Sequence, residues 1–88
     1  MHLHVYSSAF RTRIQVNMDI FSIRLKEERT AKGFSQRYMA ERLQIAQGTY
    51  KGYELVGEKN GREPSIEMIR RIAQILEVNS DYLLGLEE

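Results

Sequence analysis

Apolar positions along this chain change their spacing from segment to segment, and each change marks an element. Between residues 10 and 16, Phe10, Thr12, Ile14 and Val16 alternate with Arg11, Arg13 and Gln15, the period of two that a strand requires. From about Asp19 to Lys32 the spacing is helical, with Ile20, Phe21 and Leu25 turned inward. Gly33 is the natural stop, because it takes a positive φ at low cost. Ser35 then reads as an N-cap whose hydroxyl accepts from an unpaired backbone N–H, so a second helix should begin at Gln36. In it Met39, Ala40 and Leu43 make one narrow apolar stripe, while Gln36, Arg37, Glu41 and Arg42 stay on the wet side.

The small Ala40 lets a following helix cross closely, and Ile45 plugs the corner between the two. The third helix should run from about Gln47 to Glu54, with Tyr50 and Tyr53 inward and Gln47, Gly48, Lys51 and Gly52 on the opposite face. Residues 55–63, LVGEKNGRE, have the composition of a loop. Pro64-Ser65 opens a fourth helix, with Glu67 in its first turn to suit the macrodipole and Ile66, Ile69, Ile72, Ala73 and Leu76 at helical spacing. Val78 is a second corner plug, and a short fifth helix from about Ser80 carries Tyr82, Leu83 and Leu84 and runs out at Gly85. The pattern predicts an all-α, compact five-helix domain over residues 18–88, preceded by an N-terminal β-strand or arm over residues 1–17.

Two short helices joined by a tight turn over residues 33–54 form a helix-turn-helix. An exposed face with Gln47 at its N-terminal end and Lys51 one turn later suits a DNA major groove: Gln can bond adenine N6 and N7 together, and Lys reaches a phosphate or a guanine edge. Ser35-Gln36, Met39-Ala40 and Tyr53-Glu54, followed by Pro64, Ser65, Ile66, Ile69, Ala73, Leu76 and the run Asp81-Tyr82-Leu83-Leu84-Gly85, resemble the Cro and phage-repressor type helix-turn-helix family, with a lambda-repressor-like domain, over roughly residues 20–86.

The resemblance implies roles. Gln36 would fix a phosphate and Gln47 read a base, with Thr49 and Lys51 as phosphate contacts and Lys59, Asn60 and Arg62 in the loop where the family often grips the backbone. Arg29 and Glu54 would form a partly buried bidentate pair that fixes the angle of the recognition helix. The chain also departs from the family pattern. Ala46 stands where a Ser or Thr usually caps the recognition helix, Gly48 and Gly52 strip side chains from the face expected to meet DNA, Glu28 replaces an apolar residue, and the 55–63 loop is longer than usual.

At 88 residues there is room for one small domain. Without cysteine there are no disulfides or thiolate metal sites, and no apolar run is long enough for a membrane span, so a cytoplasmic protein is expected. The net charge of +1 announces nothing by itself: residues 1–17 carry Arg11 and Arg13 and no acid, which leaves residues 18–88 at −1. His2 and His4 lack a third ligand for zinc, Gly57 to Gly61 lacks the Lys-Ser/Thr of a phosphate-cradling loop, and the adjacent carboxylates Glu27 and Glu28, or Glu87 and Glu88, do not converge. No enzyme, cofactor or small-molecule ligand is expected.

Two kinds of function remain. One is a sequence-specific transcriptional regulator, a repressor that binds a palindromic operator in double-stranded DNA as a homodimer through the fifth helix (Tyr82, Leu83 or Leu86) or the N-terminal strand. The other is a protein-interaction module of the same fold with weak base readout. Residues 1–17 read as a strand that pairs with Leu3 to Tyr6 or with a second subunit, against which stand two blander readings, a disordered arm or an artefact of start-codon choice ahead of Met18.

Overall fold

A computed structural model describes residues 18–86. Five helices follow one another among the described residues: α1 (18–31), α2 (Gln36–Leu43), α3 (Gln47–Tyr53), α4 (Ile66–Leu76) and α5 (Ser80–Leu84). The expected strand at residues 10–16, its hairpin partner, and His2 and His4 lie outside the described residues.

The helix starts follow local chemistry. Ser35 Oγ accepts from the Tyr38 N–H at 2.9 Å, Ser65 Oγ from the Met68 N–H at 3.1 Å, and Asn79 Oδ1 from the Asp81 N–H at 2.7 Å. At α3, Ala46 offers no side-chain cap. The ends are less uniform. Gly33 takes the positive φ anticipated for it and Gly85 ends α5 in the same region, but α2 and α4 end on Gln44 and Glu77, at φ 60 and 59, where a side chain is present and strained. Those two positions carry no stop signal in the sequence. Arg71, reaching from α4, donates to the Leu43 carbonyl at 3.0 Å and satisfies the last turn of α2 from outside.

The core gathers Phe21 and Leu25 of α1, Met39 and Leu43 of α2, Tyr50 of α3, Ile72 and Leu76 of α4, and Leu83 of α5, all without solvent contact. Ala40 is buried at the α2–α3 crossing, as its size requires. Three positions differ from the pattern. Ile66 is 66% exposed, because it opens α4 and projects past the core. Ile20 is only half-buried. Leu83, offered as a contact between subunits, faces the interior of its own chain. Arg24 of α1 holds α5 in place, stacking its guanidinium 4.3 Å above the Tyr82 ring and donating to the Tyr82 carbonyl.

Candidate nucleic-acid interface

Helix α3 is held from behind by one carboxylate. Glu54, its C-cap, is buried and accepts four hydrogen bonds: Arg29 Nε at 2.6 Å and the Tyr50 hydroxyl at 2.6 Å on Oε2, Arg29 Nη2 at 3.1 Å and Gln36 Nε2 at 3.0 Å on Oε1. Arg29 also donates through Nη1 to the Phe34 carbonyl at 2.8 Å. One guanidinium from α1 therefore fixes both the entry to α2 and the exit from α3. Burial alone would push the Glu54 carboxyl up, but hydrogen bonds from Arg29, Tyr50 and Gln36 outweigh it and hold the group below the usual carboxylate range. The same bond raises Arg29, and burial together with the Glu54 carboxylate pushes the Tyr50 phenol well above its ordinary value. The expected Arg29–Glu54 pair is present and bidentate.

A second device ties α3 down at its C-terminal end. The buried Ser22 hydroxyl of α1 donates to the Tyr53 carbonyl at 2.8 Å and accepts from the Val56 N–H at 3.0 Å. Neither Ser22 nor the Tyr50 hydroxyl was singled out in the sequence. The signals were present: residues 18, 21, 22, 25 and 29 fall on one helical face, so Ser22 sits inside the apolar stripe of α1, and Tyr50 precedes Glu54 by one turn.

The outer face of α3 presents Gln47, Gly48 and Lys51 to solvent, with Thr49 half-buried. Gly48 is open, since a Cβ there would meet nothing within 4 Å. Gln36 is half-buried rather than fully on the wet side, and one of its amide hydrogens is already used on Glu54. Gly52 departs from the expectation that it shares the open face. It is buried, because Arg62 returns over it: the Arg62 N–H donates to the Gly52 carbonyl at 2.9 Å, and a Cβ at position 52 would stand 2.9 Å from Arg62 Cγ. Lys59 and Asn60 are exposed at the tip of the same connection. The site thus brings Gln47, Gly48, Lys51 and Arg62 onto or beside α3, with Gln36 beneath its C-terminal anchor.

Two helices crossed over a small alanine, with the second anchored at its back and open at its front, define a helix-turn-helix domain. The chain belongs to the helix-turn-helix family of the Cro and phage-repressor type, which it matches over residues 25–83. It is similar to the SPbeta prophage-derived uncharacterized HTH-type transcriptional regulator YonR of Bacillus subtilis, 38% identical over 65 residues that make up 74% of this chain and 56% of that protein. It is also similar to the HTH-type transcriptional regulators AnsR (40% over 65 residues; 74% of this chain, 53% of that protein) and ImmR (34% over 65 residues; 74% and 48%) of the same organism. The chain spans about half the length of these curated relatives. No solved structure matches it. The matched region is a helix-turn-helix domain, and the relatives it resembles are named transcriptional regulators. No described helix is long and apolar enough to cross a membrane.

Proposed function

We propose that this protein is a sequence-specific transcriptional repressor of the cytoplasm that binds a palindromic operator as a homodimer, with an α3 from each subunit in successive major grooves about 34 Å apart. The observation that carries the reading is the asymmetry of α3. Its inner face is locked to α1 and α2 through Glu54, while Gln47 and Lys51 are exposed on the outer face with no hydrogen-bond or ion-pair partner among the described residues. In this reading Gln47 reads a base, Thr49 and Lys51 contact phosphates, and Gln36 offers its second amide hydrogen to a phosphate. Lys59 and Asn60 extend the backbone contact. With Leu83 committed to the core, a dimer through α5 would use the exposed Leu86 beside the partly covered Tyr82.

The test is enrichment of duplexes from a random pool, followed by titration of the enriched and a mixed-sequence duplex at two salt concentrations. The repressor reading expects a palindromic consensus and affinity that falls steeply with salt. Gln47→Ala should weaken the enriched duplex by about 1–3 kcal/mol and relax the preference at one base pair. Equal, feeble binding to both duplexes would instead favour a protein-interaction module, the reading to which the bare Gly48 face lends support.

A further inference from the structure

We propose that Gly52 is a positioning residue: its missing side chain forms the notch that seats Arg62, and through it Arg62 becomes a phosphate contact on the same surface as Gln47 and Lys51. The inference rests on the DNA-binding reading above.

The stem of Arg62 lies flat across α3. Its Cβ, Cγ and Cδ would stand 3.1, 2.9 and 3.1 Å from a Cβ at position 52, so three consecutive carbons occupy the space that any other residue there would fill. Backbone bonds hold the segment in that place. The Glu58 N–H donates to the Leu55 carbonyl, the Gly61 N–H to the Glu58 carbonyl, and the Arg62 N–H to the Gly52 carbonyl, each at 2.9 Å. At Gly61 a Cβ would stand 2.0 Å from the Leu55 carbonyl oxygen, so the return path is open to glycine alone. Residues 55–62, which have a loop's composition, are therefore a docked turn that delivers one particular side chain to the recognition helix.

What that side chain does follows from its two ends. The stem is packed, yet the residue as a whole is exposed, and its guanidinium makes no hydrogen bond or ion pair among the described residues. Packed methylenes with a charged head in water are how a long cation is held ready for an external anion, because much of its rotamer freedom is already lost before binding. Position 52 lies one helical turn beyond Gly48 on α3, so an arginine whose stem crosses position 52 brings a positive charge to the side of the helix that the two glycines leave bare.

The experiment measures affinity against salt concentration for the duplex that wild type enriches from a random pool, and for a mixed-sequence duplex. The proteins are wild type, Arg62→Ala, Arg62→Lys, Gly52→Ala and the Gly52→Ala/Arg62→Ala double variant. Arg62→Ala should lower the slope of log affinity against log salt by about 0.9 and weaken both duplexes alike, while Arg62→Lys retains the slope. Gly52→Ala should weaken binding when Arg62 is present and leave it unchanged when Arg62 is already alanine. If Gly52→Ala fails to fold, the two Arg62 variants decide alone. An unchanged salt slope in Arg62→Ala overturns the proposal, as does an equal loss from Gly52→Ala in both backgrounds, which would mean that DNA itself approaches the glycine. A wild type that binds no duplex removes the DNA-binding reading first, and that result is seen before any variant is made.

Discussion

The two halves of α3 are built on opposite principles. From Tyr50 to Glu54 every residue but the outward Lys51 is buried, and the last turn of α3 is tied to α1 by Ser22 and Arg29, to α2 by Gln36 and to the following turn by Arg62. From Ala46 to Thr49 it has no side-chain cap, an open glycine, and two residues whose side chains reach solvent or lie half-covered. Helix propensity explains neither half's conformation well, since a seven-residue helix with two glycines is marginal in isolation. Tertiary anchoring at one end imposes the helix, and the free end is left to be completed by whatever it meets.

The largest test of that contrast is removal of the anchor. Arg29→Ala leaves the Glu54 carboxylate buried without its charged partner, and stability should fall by about 3–5 kcal/mol. For a domain of this size each kcal/mol lowers Tm by about 4–8 °C, so the loss is plain in a thermal melt. An unaltered Tm would mean that the carboxylate relaxes into water and that the anchor is not what holds α3.

Acid attacks the same anchor without mutation. Because the Glu54 carboxyl is held below its ordinary value, its contribution is fully present above the unfolded carboxylate range, near pH 4.3, and is lost as pH falls through the folded value. Tyr50 runs the other way. Its raised phenol contributes below about pH 10, and that contribution is lost as pH rises further. Urea unfolding of wild type and Glu54→Gln across this range should show a stability gap that narrows in acid, and a constant gap would break the link.

The anchored half was partly legible in the sequence and the free half almost wholly so, for a physical reason. Arg29 and Glu54 could be paired because a resemblance supplied a long-range contact that periodicity cannot, and Tyr50 and Tyr53 could be turned inward by spacing alone. Gly52 was misplaced because a helical wheel assigns a face from the helix's own residues, whereas that face is covered by a segment ten positions downstream. Ser22 was passed over for a similar reason: a hydroxyl in an apolar stripe gives no sign of the carbonyl and the N–H, on another element, that it serves. Exposed Gln47 and Gly48 needed no partner to be found, and like the outward Lys51 of the anchored half they lie on the face that spacing assigns them.

A smaller break in the anchor tests whether Ser22 matters beside the ion pair. Ser22→Ala leaves the Tyr53 carbonyl and the Val56 N–H without their shared hydroxyl in a buried place, and should lower stability by about 1–3 kcal/mol. Denaturant unfolding with an unchanged m-value would read this directly. No loss would mean that water enters between α1 and the turn after α3.

The free half admits the smallest and most discriminating change. Gly48 has open space where a Cβ would go and lies in the helical region, so Gly48→Ala should raise stability by about 1 kcal/mol; Ala46→Ser, which restores a cap, should add a similar amount. Each gain is expected in the protein alone, and neither need help binding. If the weak turn is completed by DNA, amides of residues 47–50 should exchange fast in the free protein and gain protection with operator bound, while those of residues 51–54 change little. Gly48→Ala should then shrink the gain in protection, because part of the ordering has been done in advance. Comparable protection with and without DNA across both halves would show that α3 is uniformly rigid, and the open glycine would then be read as clearance for a closely approaching phosphate backbone: Gly48→Ala would be more stable and bind more weakly.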